Sequence, residues 1–151
     1  MGIYSIRTAR DPPLNITHPR TLLRARHRAA DELRKLSRAV EQSPSSIVIT
    51  NLDATIEYVN DAFLKATGYL REEVIGQNPR LLRSGKTPKA THDSLWQTLS
   101  AGDIWHGEFQ NRRKDGSDYV EFAIVAPIRQ SDGRITHYLA IKEDITEKKR
   151  I

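Results

Sequence analysis

At 151 residues and 38% hydrophobic side chains, the chain is long enough for one domain with a real core and too short for two comfortable ones. The net charge of +5 is unevenly divided: residues 1–40 hold nine Arg and Lys against three Asp and Glu, residues 41–151 fifteen against sixteen, which argues against a domain-wide phosphate-binding face. The absence of cysteine rules out disulfides, thiolate zinc sites and cysteine nucleophiles, and no apolar run suits a bilayer or a signal peptide, so a cytoplasmic location is expected.

Residues 1–20, with Pro12, Pro13 and Pro19, read as an irregular lead-in. From Thr21 to Glu41 the pattern is that of a basic amphipathic linker helix. Leu22, Ala29 and Leu36 are seven apart, Leu33 and Val40 fill the alternate heptad positions, and Arg26 weakens the seam. Such a seam predicts a homodimer. A DNA-binding reading rests on this helix alone, and Asp31 and Glu32 interrupt its charge.

The globular domain is expected over residues 42–146. "SIVITN" (46–51) and "TIEYVN" (55–60) form a first hairpin, and Asn60 caps a short helix over 61–67. "REEVIG" is one further helical turn, and "QNPRLLRSGKT" is a loop broken by Pro79 and Gly85. Pro88 opens the one long interior helix, to about Ala101, with Leu95, Trp96 and Leu99 on its buried side. Three strands follow, at about 104–113, 119–129 and 135–144, joined by the Asp-Gly turns of "KDGS" and "QSDG". Residues 147–151 begin a C-terminal linker helix. The fold class is α+β, a five-stranded antiparallel sheet with short helices covering one face.

The motifs "GYLREEVIGQNPRLL", "NRRKDG" and "KEDIT" in this order of elements resemble the PAS domain, the sensory module of bacterial signalling proteins, over roughly residues 36–149. Within the family, "TP", "LW", "W.G" and "NRRKD" are most similar to the flavin-binding PAS domains of the NifL redox-sensor type, with a weaker likeness to the LOV photoreceptors. The resemblance implies a cupped sheet closing a pocket, with Asn111 as a contact of a flavin (FAD or FMN) and Trp96 as a ring neighbour. Strand alternation puts Asn111 on one face with Trp105, Gly107 and Phe109, and an amide both donates and accepts, as the polar edge of a flavin requires. Without the resemblance, an amide capping the strand end is equally good. The neighbouring Arg112, Arg113 and Lys114 read as solvated around a hairpin turn.

The likeness has limits. Asn78 is followed by Pro79 where photoreceptors of the LOV type carry a reactive cysteine, so light-driven adduct chemistry is excluded, and the acidic residue of the redox sensor is missing at Pro79 as well. The LOV flavin amides fall on Glu121 and Lys142, both predicted to point inward on adjacent strands. Two buried opposite charges must pair, and such a pair fills the place of a flavin's polar edge or binds a small polar ligand. Haem, the family's other cofactor, would need His92 of "THDSLW" as its ligand, but a lone histidine early in a helix is usually a surface residue. His106 and His137 are expected on the sheet's other side. No phosphate loop, metal cluster or nucleophile motif supports an enzyme. The resemblance further implies an output domain in the parent protein, such as a histidine kinase or diguanylate cyclase, with Asp144 and Thr146 coupling the last strand to the helix that follows it.

Overall fold

The computed structural model describes residues 18–150, and the chain divides between Ser37 and Arg38 into two units. Of the expected lead-in, all but His18–Arg20 lies outside the described residues. Pro19 and Arg20 already belong to α1, Pro19–Gln42, because proline suits a first helical position. Good helix formers carry α1 onward, with Asp31–Arg34 and Glu32–Lys35 (3.1 Å) paired one turn apart. No residue of α1 is buried, and its leucines Leu22, Leu33 and Leu36 are exposed.

The second unit begins with β1 (Ser46–Asn51) and β2 (Ile56–Val59), followed by α2 (Asp61–Thr67) and α3 (Arg71–Val74). A 3-10 turn at Pro79–Leu82 lies within the predicted loop, and α4 spans Lys89–Ser100. The strands β3 (Trp105–Arg112), β4 (Asp118–Arg129) and β5 (Ile135–Asp144) complete an antiparallel sheet in the order β2-β1-β5-β4-β3, and α5 covers Thr146–Lys149. The two Asp-Gly turns sit where expected, with φ of 89° at Gly116 and 88° at Gly133.

Asn60 does more than cap α2. Its side chain accepts from Phe63 N (3.2 Å) and from Ile47 N of β1 (2.9 Å), and donates to Val40 O (2.9 Å) and Ser45 O (3.0 Å). One fully buried amide thus satisfies backbone groups of four segments, groups that would otherwise be costly to bury.

The concave face is lined at one end by Val48, Ile56, Val59, Phe63, Val74 and Leu82, all buried. At the other end Leu99 of α4 packs over Trp105, Phe109, Ala123 and Val125. Ala140 touches both clusters, so the interior is continuous. Strand alternation sends Ile47, Ile49, Phe122, Ile124, Leu139 and Ile141 to the outer face, where Ile124 and Ile141 are exposed.

Candidate functional site

Between the concave face, α4 and the 3-10 turn lies a cavity of about 110 Å³. Its floor is built by alternate residues of the register Val48↔Ala140 and by Lys142, Val125, Phe109 and Asn111; Leu95, Leu99, Pro79, Arg80 and Arg83 close it from above. The Asn78 side chain accepts from Arg80 N (2.9 Å) and so starts the 3-10 turn, and a backbone bridge between Arg83 and Asn111 fixes that segment against β3.

The polar end of the cavity is a buried network. Lys142 Nζ lies 3.2 Å from Glu121 Oε1, and Asn111 Nδ2 donates to the same oxygen at 2.8 Å. Glu121 and Lys142 are 4% and 8% exposed, so each charge relies on the other for compensation. The Lys142 ammonium also stands 5.7 Å from the Phe109 ring centre. Directly across from Asn111 in the β3–β4 register is Tyr119, whose buried hydroxyl has no well-formed hydrogen bond. Burial first, and then the Glu121 carboxylate, raise the Tyr119 pKa far above the ordinary phenol range, so the group stays neutral.

Beyond Tyr119 the network continues to the end of β5. The Arg113 guanidinium lies 4.7 Å from the Tyr119 ring centre and donates to Ala66 O (3.1 Å), Ser117 Oγ (3.2 Å), Asp118 O (3.3 Å) and Asp144 Oδ2 (2.6 Å). Asp144 in turn accepts from Thr146 N (2.9 Å) and Thr146 Oγ1 (2.5 Å), while Val120 N donates to Thr146 Oγ1 (3.0 Å). The expectation that Arg112, Arg113 and Lys114 are merely solvated is therefore corrected. Arg112 pairs with Asp118, Lys114 with Glu73 (2.8 Å), and Arg113 ties the end of α2 to the ends of β3, β4 and β5. Arg113 was hidden in the sequence by its charge run, since its partner at Ala66 is 47 residues away.

The other sequence-predicted residues divide. Asn111, Lys142 and His92 line the cavity. Trp96 also reaches it but is 40% exposed, set edge-on to Tyr138 at 5.9 Å, so it stands at the mouth rather than on the buried side of α4. Trp105 and Glu121 do not line it. Trp105 is buried beneath α4, where its indole donates to Ser94 Oγ (3.2 Å) and its ring covers Gly107 so closely that a Cβ there would stand 2.5 Å from it. His92 is half-buried rather than fully exposed. It stacks on Phe109 (5.8 Å, 25° between planes), and burial, followed by the Arg83 charge, lowers its imidazole pKa. His106 and His137 lie on the outer face as expected, His106 beside Phe122 and His137 3.0 Å from Glu57. No group of three or more metal-ligating side chains occurs among the described residues, nor is any helix of theirs long and apolar enough to cross a membrane.

A cupped five-stranded sheet with this helix order and interior cavity has matching counterparts. The sequence profile described as a PAS domain fits residues 44–147. The chain belongs to the PAS domain family. A nitrogen fixation regulatory protein of Klebsiella oxytoca is 39% identical over 107 residues, covering 71% of this chain and 22% of that protein. An RNA-binding light-oxygen-voltage receptor superposes with a TM-score of 0.71 at 28% identity, over 91% of this chain and 37% of the other. A light-oxygen-voltage domain studied with a flavin analogue gives 0.69 at 27% identity, over 76% and 87%. This PAS domain is a sensory module for signal transduction.

The cavity does not fit a flavin as it stands. An engineered cavity of about 150 Å³ holds one benzene ring, and sites for larger ligands measure roughly 300–1,000 Å³, so a volume of about 110 Å³ matches one ring rather than three fused rings or a haem. The Asn111 amide nitrogen, moreover, is already committed to Glu121.

Proposed function

We propose that this PAS domain reports the state of its cavity to an output domain that follows α5 in the parent protein. The observation that carries the reading is the unbroken run of contacts from Lys142, Glu121 and Asn111, past Tyr119, through Arg113 to Asp144 and Thr146. A ligand that takes up Asn111 or Lys142 alters the pairing of Glu121 and the packing of Tyr119. Arg113 then redistributes its donors between Ala66 and Asp144, loosening or tightening the turn from β5 into α5. Asp144 and Thr146 act here as coupling residues. Hydrogen exchange tests this. Asn111→Ala should change protection of the Val120 and Ile145 amides in the parent sequence, and Arg113→Ala should abolish that response. Equal responses with and without Arg113 would refute the route.

The same reading includes a homodimer, formed through the leucine stripe of α1 and the apolar outer face around Ile124 and Ile141. Dissociation on removal of residues 1–37, followed by light scattering, tests the first contact, and Ile124→Glu the second.

A flavin-bearing form, with Asn111 and Trp96 at the ring, is favoured by the likeness to a light-oxygen-voltage domain studied with a flavin analogue. It requires the cavity to widen. A yellow protein whose colour is lost in Asn111→Ala would establish it; a colourless one after purification in the presence of FAD and FMN would exclude it.

A further inference from the structure

We infer that the cavity is a site for a small one-ring carboxylate, with its ring against Phe109 and its carboxylate held by Arg80 and Arg83. The inference rests on the cavity being the sensory site and adds the chemical class of its ligand. Every charged side chain lining the cavity is basic: Arg80, Arg83 and Lys142, together with His92. Lys142 is paired with Glu121 beneath the floor, which leaves Arg80 and Arg83 as the lining cations that have no acidic partner among the described residues.

Those two arginines differ from the others of the domain. From Arg71 to Arg150, every other arginine side chain donates to a carboxylate or a carbonyl, namely Arg71, Arg112, Arg113, Arg129, Arg134 and Arg150. Among the described residues, Arg80 and Arg83 take part only through their backbone, Arg80 N to Asn78 Oδ1 (2.9 Å) and Arg83 N to Arg80 O (3.0 Å). Their backbone is held in place by the Asn78 cap and by the bridge from Arg83 to Asn111. Arg80 and Arg83, three residues apart on one turn, both reach the same cavity wall, and guanidinium donors suit a carboxylate.

The rest of the wall selects the body of the ligand. Phe109, Leu95, Leu99 and Val125 are apolar, and the volume of about 110 Å³ admits one six-membered ring. Asn111 offers its free carbonyl oxygen at the floor, since only its amide nitrogen is engaged. A ring hydroxyl or amino group opposite the carboxylate would meet that acceptor. A neutral molecule of the same shape would leave the arginines unused, and that difference is the basis of selection.

Benzoate and benzamide, which share a ring and differ in charge, separate these possibilities in amide and His92 ring NMR titrations of the full chain. Benzoate should shift the signals of Arg83, His92, Phe109 and Asn111 and raise the His92 pKa, because the carboxylate offsets the Arg83 charge. Benzamide should bind at least tenfold more weakly. Arg80→Gln or Arg83→Gln should each weaken benzoate by about tenfold, and the double substitution by more. Both residues are exposed, so the variants should retain a dispersed spectrum. Equal binding of benzamide, unchanged affinity in the double variant, or no benzoate binding at millimolar concentration would overturn the inference. Benzoate binding that fails to alter Ile145 protection would instead leave the site in place and overturn the route to α5.

Discussion

The two ends of the domain's interior are built by opposite rules. Around Phe63, Val59 and Leu82 the interior is closed and apolar, and its polar side chains are satisfied: Asn60 makes four hydrogen bonds and the Thr67 hydroxyl donates to Phe63 O (2.9 Å). Around Phe109 and Val125 it encloses a cavity, and the polar groups there are a buried ion pair, an amide that donates to the pair's carboxylate and a phenol with no well-formed hydrogen bond. The first end is held by close apolar packing and the second by polar contacts around a cavity.

Truncation at the closed end should be the most damaging change. Phe63→Ala removes a ring that is 1% exposed and should cost about 3–5 kcal/mol, read from denaturant unfolding of the chain. At the open end, Glu121→Ala or Lys142→Ala should cost about 3–5 kcal/mol because the survivor is stranded. The contrast lies in the repair: replacing the pair together, Glu121→Gln with Lys142→Leu, should recover most of the loss. Additive losses in that double variant would show that the two charges do not depend on each other, and the comparison would fail.

Smaller effects sharpen the contrast. Hydrogen bonds from Thr146 and Arg113 hold the Asp144 carboxylate below its ordinary range, although burial pushes the other way. A lowered carboxylate stabilises the fold above its ordinary pKa of 3.8, and that contribution disappears as pH falls below this value through the folded one. Stability should therefore decline on acidification below about pH 4, and Asp144→Asn should flatten that part of the profile. The smallest effect is expected for Tyr119→Phe. It removes a hydroxyl that has no well-formed hydrogen bond and should be neutral or stabilising within about 1 kcal/mol, where the same change at a satisfied buried tyrosine is a loss.

The sheet was legible because its signals are local. Alternation along 105–112 and 118–129 and the two Asp-Gly turns set strands, register and inward faces, and with them the pairing of Glu121 and Lys142. The helix α4 was legible in its limits but not in its phase. Leu95 and Trp96 are consecutive, so the apolar pattern alone leaves open which of the two turns inward, and the space already taken by Trp105 decides it. Arg113 was illegible for a different reason. A cation in a charge run reads as solvated until the fold brings Ala66 O and Asp144 to it from distant segments.

Asn60 has a consequence for where this domain can be cut or joined. The composition break at "EQSPSS" invites a boundary near Ser43, yet Asn60 Nδ2 grips Val40 O before that break and Ser45 O after it. The six residues from Val40 to Ser45 are thus clamped at both ends and behave as a spacer of set length. A fusion joined at Ser43 would satisfy that buried amide only where the incoming backbone brings a carbonyl to the place of Val40 O, and one residue inserted between the clamps would force one grip or the other to open. Chimaeras that swap what lies ahead of this domain should be spliced upstream of Val40, where the length of chain is not gauged by a buried side chain.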